Sequence, residues 1–245
     1  MRIAFLIPSK SLKKWKNLND SYLMRFLIPS LMRTLSPDHK YTIYYAIDDN
    51  DKLYNKLQTK KKLLNKDTYK HFNKNINIDI QILSTKNIEP GNVVGYWNML
   101  FKKAYEDGNE YFVQSGDDIL YHTPNWLNLC IYHLILNIDL GVSTPQDIGN
   151  PNLMTQSVVS RKHMEIFGYY YPPELKSWFC DNWITDIYKH SLGVIPRCSL
   201  ENKGGKPRYT PPDWEITKKL CQSLVERDQP KLINHINNQC IKHQV

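Results

Sequence analysis

Three apolar runs in the first third of the chain stop abruptly at polar residues. Residues 2–7 form a short apolar run closed by Pro8 and Ser9, and residues 41–47 are rich in β-branched and aromatic side chains and end at Asp48 and Asp49. In residues 76–82 isoleucine alternates with polar side chains, the period of a strand with one buried face. The pattern predicts three strands, of which the first is fully buried and the second ends in an acidic tip.

A helical period takes over after Asn92 and continues to Gly108. Apolar side chains recur there at intervals of three and four, Asn92 is placed to cap the helix, and Gly108 is placed to end it. Residues 110–114 again resemble a strand and stop at Asp117 and Asp118. Earlier in the chain, a helix is predicted over residues 21–35 and a lysine-rich helix within residues 52–74, with its lysines on a solvated face.

The second half continues the alternation of helices and strands. Thr123 and Pro124 predict a helix start as cap and first-turn proline, with the helix running to about residue 137. Short strands are expected at 141–143 and 155–159, followed by a helix capped by Ser160. Strands separated by helices predict an α/β fold with a mostly parallel central sheet flanked by helices. We interpret residues 1–210 as one domain and residues 211–245 as a C-terminal helical segment.

Composition restricts the class of protein. The chain has 245 residues, 41% of them hydrophobic, and a formal charge of +8, and no apolar stretch reaches the roughly 18 residues of a membrane span. The first ten residues lack the features of a signal peptide, and the five cysteines are widely spaced and odd in number, so a cytoplasmic, reducing location is expected. Because no nucleic-acid-binding signature accompanies the charge, no nucleic-acid partner is predicted.

The polar strand ends are the candidate binding site. In open α/β sheets ligands bind beyond the carboxyl ends of the strands, where Ser9, Asp48 and Asp118 are predicted to converge. No glycine-rich dinucleotide fingerprint and no phosphate-binding P-loop follows the first strand. Paired carboxylates at Asp117 and Asp118 suit Mn²⁺ or Mg²⁺, although Gly-Asp-Asp is equally ordinary in a turn.

The succession of these segments resembles a GT-A-fold glycosyltransferase, closest to family-2-like enzymes and their relatives in large DNA viruses. The resemblance rests on Ile-Ala-Phe-Leu-Ile-Pro-Ser, Tyr-Ala-Ile-Asp-Asp, Trp97-Asn98, Tyr-Phe-Val-Gln-Ser-Gly-Asp-Asp-Ile and Phe-Cys-Asp-Asn-Trp-Ile-Thr-Asp-Ile-Tyr, and covers residues 1–210. It implies a sandwich related to the Rossmann fold, a nucleotide-diphosphate sugar donor (a UDP-sugar above all) and a glycan or other hydroxyl acceptor. The donor site it implies comprises Pro8, Ser9, Lys10, Asp48, Asp49, Asn98, Asp117 and Lys206.

The metal motif departs from the family pattern. The resemblance makes Asp118 the metal-ligating residue, with help from Asp117, but Gly116 stands where a strict Asp-x-Asp motif has its first carboxylate. The histidine that relatives supply is also missing, and Glu201 or Asn202 is the replacement available in this sequence. The requirement for Mn²⁺ or Mg²⁺ is therefore an expectation to be tested.

Asp181 is the candidate catalytic base of an inverting transfer, as the resemblance implies a later acidic residue in this role. The alternative is that Asp181 only caps a helix beginning at Asn182. Trp178 and Trp183 can stack on an acceptor sugar, or belong to the core. Lys203, Lys206 and Arg208 can close over a diphosphate, or form a basic exposed loop.

The predicted function is transfer of a sugar from a nucleotide-diphosphate donor. Two alternatives stay open: a sugar-phosphate nucleotidyltransferase, which uses a related sheet with paired aspartates, and a catalytically silent nucleotide-sugar-binding protein, which the incomplete metal motif permits. The first alternative lacks the glycine-rich loop that such enzymes carry near their first strand.

Overall fold

A computed structural model describes residues 1–189, 192–205 and 207–242. The strands within these residues are β1 (Arg2–Ser9), β2 (Lys40–Ile47), β3 (Asn77–Ser84), β4 (Tyr111–Gln114), β5 (Ile119–Tyr121), β6 (Val142–Ser143), β7 (Gln146–Asp147), β8 (Val158–Ser160), β9 (Gly193–Val194) and β10 (Ser199–Asn202). The helices are α1 (Ile28–Thr34), α2 (Leu57–Leu64), α3 (Asp67–Lys70), α4 (Val93–Glu106), α5 (Trp126–Leu136), α6 (Arg161–Phe167), α7 (Cys180–Ile187) and α8 (Trp214–Lys242).

The central sheet has the strand order β3-β2-β1-β4-β8-β6-β9 among the described residues. The β3, β2, β1 and β4 strands are mutually parallel, whereas β8 is antiparallel to both β4 and β6. A smaller sheet, β5-β10-β7, lies beyond the end of β4. The predicted α/β architecture with a mostly parallel sheet is confirmed.

Side chains on the two faces of β1 enter two separate cores, as a buried parallel strand requires. Ile3, Phe5 and Ile7 join the core beneath α1 and α5. Ala4 and Leu6 join the core beneath α4, α6 and α7. The α8 helix packs on α6 and α7 and contributes Cys221, Leu224 and Leu232 to the second core. No helix in the described part of the chain is long and apolar enough to cross a bilayer.

Several local predictions are confirmed by specific hydrogen bonds. The Asn92 side chain accepts from the Gly95 N–H and caps α4, which ends ahead of Gly108 in the left-handed region (φ +78°). The Ser160 hydroxyl accepts from the Lys162 N–H at the start of α6. Residues 23–27 form a π turn that leads into α1, and the lysine-rich region divides into α2 and α3.

Two predicted helix starts differ from those in the structure. The α5 helix begins at Trp126 after Asn125 in the left-handed conformation (φ +57°), and Thr123 instead accepts from the Ser199 N–H through its hydroxyl. The α7 helix begins at Cys180, with Phe179 at the cap position and at φ +67°. Asp181 therefore lies inside the first turn of α7, so the alternative that it caps this helix is wrong.

Candidate functional site

The carboxyl ends of β1, β2 and β4 meet at one edge of the sheet. Ser9 lies opposite Ile47, which immediately precedes Asp48, and Gln114 at the end of β4 lies opposite Leu6. The pairing of β1 with β4 ends at Leu6, two residues before Pro8. Proline has no backbone N–H to donate, and at this position no hydrogen bond to β4 is lost. The predicted convergence of polar strand ends is confirmed.

The two carboxylates that follow β4 are bound by Arg208 from the C-terminal part of the chain. Asp117 is 1% exposed, and the guanidinium donates to both of its oxygens, with a distance of 2.9 Å from Nη1 to Oδ2. The guanidinium Nη2 also donates to Asp118 Oδ2 at 2.9 Å, and Nη1 donates to the Lys10 carbonyl at 2.7 Å. Burial raises the pKa of Asp117 to about 6, and the charge of Arg208 opposes this rise.

Asp48 lies beside the next residue of this segment, Tyr209. The Tyr209 hydroxyl donates to Asp48 Oδ2 at 3.2 Å, and the Lys10 ammonium lies 3.6 Å from the same oxygen and 4.0 Å from the centre of the Tyr209 ring. The other oxygen, Oδ1, is buried and has no hydrogen-bond partner. A buried acceptor left unpaired is costly, so this oxygen would be stabilised by an N–H or O–H donor that reached it.

A metal ion fits this site only in part. Arg208 binds both oxygens of Asp117 and one oxygen of Asp118, Oδ2, which leaves the other oxygen of Asp118 and the amide oxygen of Asn202 as ligands. Their loop is close-packed: a Cβ on Gly204 would lie 1.9 Å from Asp118 Oδ2, and the Gly204 N–H donates to Asn202 Oδ1 at 2.8 Å. The described residues hold no cluster of three or more His, Cys, Asp or Glu side chains suited to a metal.

Two side-chain oxygens are nonetheless enough for Mg²⁺ or Mn²⁺ when substrate phosphates and water complete the shell. Glu201, the other replacement considered for the missing histidine, is engaged elsewhere. Its carboxylate pairs with Lys203 at 2.5 Å and lies 3.5 Å from His122.

The strand ends open into a cavity of about 250 Å³, which we call the donor cavity after the donor site expected there from the sequence. Its walls are Pro8, Ser9, Lys10, Val93, Trp97, Gly116, Asp117, Asp118, Ser177, Trp178, Pro207, Arg208 and Tyr209. The indole N–H of Trp97 is buried and has no hydrogen-bond partner. The donor cavity therefore combines two cationic side chains, Lys10 and Arg208, with the carboxylates of Asp117 and Asp118, an unpaired donor and apolar surface. The apolar surface suits a ring, and Lys10, which is not paired with Asp117 or Asp118, suits a phosphate.

A second cavity of about 410 Å³ adjoins the first, and we call it the acceptor cavity after the acceptor candidate Trp178 in its wall. Trp97, Asp118 and Trp178 line both cavities, and the acceptor cavity also contains Asp181 and Asp147. Asp181 is partly exposed; burial raises its pKa, the nearby charge of Asp147 adds to the rise, and the backbone N–H of Asn182 opposes it. A carboxylate with a raised pKa beside a cavity is suited to general-base chemistry.

Several predicted site residues have other roles in the structure. The Asn98 amide donates to the Tyr171 carbonyl and accepts from the N–H groups of Tyr170 and Tyr171, so it fixes a loop and lines neither cavity. Trp183 is fully buried and packs edge-on against Phe167, so it cannot contact an acceptor. These two predictions, for Asn98 as a donor contact and Trp183 as an acceptor contact, are wrong.

The remaining predicted site residues are Trp178, Asp48, Asp49 and Lys206. Trp178, at the junction of the two cavities, is 36% exposed and remains an acceptor candidate. Asp49 is exposed, whereas Asp48 is buried beside Lys10 and Tyr209. Lys206 lies outside the described residues.

Some residues of the site had no clear signal in the sequence. Tyr209 directly follows Arg208, but nothing local places its hydroxyl on Asp48, 161 positions earlier in the chain. Asp147 stands in a short strand that the sequence pattern does not predict, and Trp214 opens α8, outside the predicted domain. The local signal for Asp147 is its place in Gln-Asp-Ile-Gly-Asn, where an acidic residue stands close to glycine and asparagine.

Solved structures share this fold. The structure of S. aureus TarS residues 1–349 in complex with UDP-GlcNAc matches with a TM-score of 0.60 at 12% identity over 93% of this chain and 66% of that one. The UDP complex of the same fragment matches with a TM-score of 0.54 at 13% identity over 93% of this chain and 65% of that one. A longer TarS structure matches with a TM-score of 0.53 at 12% identity, covering 83% of this chain and 37% of that one.

This chain thus spans just under two thirds of the TarS fragment and little more than a third of the longer structure. No protein-family model matches the chain, and no curated protein matches it. The comparison confirms the expected fold, an α/β sandwich with a mostly parallel central sheet, which this chain shares with the TarS structures.

Proposed function

We propose that this protein transfers a sugar from a UDP-sugar to a hydroxyl group of an acceptor, with inversion at the anomeric carbon. The observation that carries the proposal is the junction of the two cavities. Asp118, Trp97 and Trp178 line both, so a diphosphate-sugar bound at the strand ends presents its sugar to the cavity that contains Asp181. The UDP and UDP-GlcNAc complexes of TarS, which shares the fold, support a nucleotide-sugar donor.

The donor's parts match the chemistry of the donor cavity. Asp48 lines a neighbouring cavity of about 840 Å³ that shares Lys10 with the donor cavity, and its unpartnered Oδ1 is the acceptor we assign to the N–H of the uracil ring. Lys10 and Arg208 supply positive charge for the diphosphate. Lys206 is proposed to add to this charge. Positive charge at the diphosphate stabilises the leaving group as the bond to the sugar breaks.

Asp181 acts as the general base. It removes the proton from the acceptor hydroxyl as the oxygen attacks the anomeric carbon, and the UDP leaves from the opposite face. Because burial and Asp147 raise the pKa of Asp181, it is a stronger base than an aspartate in water. The bond from the acceptor oxygen to the sugar forms, the bond to the diphosphate breaks, and the proton remains on Asp181.

Recognition of uracil is tested with a panel of nucleotides. We expect UDP to raise the melting temperature more than CDP or GDP does, because cytosine lacks the ring N–H and guanine is larger. Asp48→Asn should weaken UDP binding, whereas Asp49→Asn, at the exposed neighbouring position, should leave it unchanged. Equal stabilisation by GDP or by a cytidine nucleotide would refute the assignment of uridine.

The role of a cation is a separate part of the proposal. Asp118 and Asn202 would hold Mn²⁺ or Mg²⁺, which when bound neutralises charge on the diphosphate. We expect Asp118→Ala to abolish any gain in UDP affinity on adding Mn²⁺, a gain of about tenfold or more. Glu201→Ala removes an exposed carboxylate nearby and is the control. Equal UDP affinity of the wild-type protein in Mn²⁺ and in EDTA would exclude this role.

A further inference from the structure

The charged side chains described in the wall of the acceptor cavity are all acidic. The charged side chains among its described walls are Asp118, Asp147 and Asp181, and no lysine or arginine in the described part of the chain lines it. Asp118 is paired with Arg208, so Asp147 and Asp181 carry the acidic charge that is not balanced by a contacting cation of the described residues. The protein as a whole has a formal charge of +8. The acceptor cavity is therefore an acidic site on a basic protein, and an acceptor that carries phosphate or carboxylate groups would be repelled there.

Two tryptophan side chains, Trp178 and Trp214, lie nearly perpendicular to each other in the wall of the same cavity. Trp178 is 36% exposed and Trp214 is 55% exposed, and their ring centres are 5.9 Å apart at an interplanar angle of 82°. Phe179 supports Trp214 from behind, with ring centres 4.6 Å apart. Exposed indole rings beside a polar cavity offer a flat apolar surface, and the C–H face of a pyranose ring is apolar and of comparable size.

The polar part of the cavity is built mainly from neutral hydrogen-bonding groups. Its amide and hydroxyl side chains belong to Gln114, Asn150, Thr155, Gln156, Ser177, Asn182 and Asn202. Asp147 is held rigidly, because its two oxygens accept from the Gly149 N–H and the Thr155 hydroxyl, each at 2.9 Å. Fixed acceptors and amides of this kind match the hydroxyl groups of a sugar.

We propose that the acceptor of this enzyme is an uncharged sugar, which binds in the acceptor cavity with its apolar face on Trp214 and its hydroxyls towards Asp147 and Asp181. This inference rests on the proposed function and adds the class of acceptor to it. Trp214 is the first residue of α8, so the C-terminal helix takes part in acceptor binding. The uncharged acceptor is selected by repulsion of anions as much as by stacking.

Binding of small glycosides tests the proposal without requiring turnover. Saturation-transfer NMR and titration, with and without UDP, would compare methyl β-D-glucopyranoside, methyl N-acetyl-β-D-glucosaminide and methyl β-D-galactopyranoside with two anions, methyl β-D-glucuronide and glycerol 3-phosphate. The glucoside and the glucuronide differ in one carboxylate. We expect at least one neutral glycoside to bind about tenfold or more tightly than either anion.

Variants locate the binding. Trp214→Ala should weaken neutral glycosides about fivefold to tenfold and Trp214→Phe should retain part of the affinity, as a lost stacking contact predicts. Tyr132→Ala is the matched control, since Tyr132 is 57% exposed on α5 and does not line the cavity. Asp147→Asn should reduce the ratio of the affinity for the glucoside to the affinity for the glucuronide. A purely structural role of Asp147 would not change this ratio.

The outcomes separate the two levels of the proposal. Binding of the anions as tightly as the neutral glycosides, binding of no neutral glycoside, or unchanged binding after Trp214→Ala would each overturn the inference. Glycoside binding that depends on Trp214 in a protein that does not bind UDP would preserve the sugar site and refute the UDP-sugar transferase. UDP binding and UDP-sugar cleavage without the expected glycoside preference would preserve the UDP-sugar transferase and refute the uncharged-sugar acceptor.

Discussion

Replacing Asp181 by asparagine should lower the rate of sugar transfer by about 10²- to 10⁴-fold, the usual contribution of a general base. Asparagine keeps the size of the side chain but cannot take the proton of the acceptor hydroxyl. Because Asp181 lies inside the first turn of α7 and does not cap it, the melting temperature and the affinity for UDP should stay close to those of the wild type. Rates of UDP release, a melting curve and calorimetry with UDP test these three expectations together.

A matched control lies on the same helix. Asp186 is exposed on α7, so Asp186→Asn removes a carboxylate without touching the acceptor cavity. Transfer within a few-fold of the wild type in Asp181→Asn would move the base elsewhere, and a large loss in Asp186→Asn would identify it there.

The pH dependence gives an independent readout of Asp181. Burial and the charge of Asp147 raise the pKa of Asp181 above its ordinary value of 3.8, so the acidic limb of the rate profile should lie above that pH. Since the base works when deprotonated, activity rises with pH along this limb. Asp147→Asn removes one of the causes and should move the limb to lower pH.

The second large effect is expected at Arg208. Removing one partner of a buried ion pair typically costs about 3–5 kcal/mol, because the other charge is left buried and unpaired. Arg208→Ala should therefore lower the free energy of unfolding by roughly this amount, since Asp117 is almost fully buried and both of its oxygens accept from the guanidinium. Chemical denaturation measures the loss.

A second substitution tests its cause. Asp117→Asn in the Arg208→Ala background removes the unpaired charge and should restore part of the stability. Lys203→Ala is the control, because Lys203 pairs with Glu201 in an exposed position and should change the stability little. A loss below about 1 kcal/mol in Arg208→Ala would show that the pair contributes little, as exposed pairs do.

The parts of the fold that the sequence predicts well are those set by local patterns. Buried strands such as residues 2–7 are marked by continuous apolar side chains, and their ends by proline, serine and aspartate, so the edge with Ser9, Asp48 and Asp118 follows from chain order alone. The starts of α5 and α7 were missed because Asn125 and Phe179 adopt left-handed conformations that few residues favour. There tertiary packing overrides local preference.

The candidate site was predictable where it lies at strand ends and unpredictable where distant segments meet. Arg208 reaches Asp117 across 91 positions, and no periodicity reports such a contact. Trp178 and Trp183 belong to one aromatic segment. Trp178 precedes α7 and is exposed at the cavities, whereas Trp183 lies within α7 on its buried face. Asn98 resembled a binding residue, but its amide forms hydrogen bonds with the backbone at Tyr170 and Tyr171.

Release of products from donor substrates tests the central claim most directly. The protein would be incubated with UDP-glucose, UDP-galactose or UDP-N-acetylglucosamine, and in parallel with UTP and a sugar 1-phosphate, while UDP and pyrophosphate are measured. The transferase predicts UDP release from at least one UDP-sugar, accelerated by a neutral methyl glycoside and strongly reduced in Asp181→Asn. Pyrophosphate release from UTP and the sugar 1-phosphate, or binding of UDP-sugars with no UDP released, would contradict it.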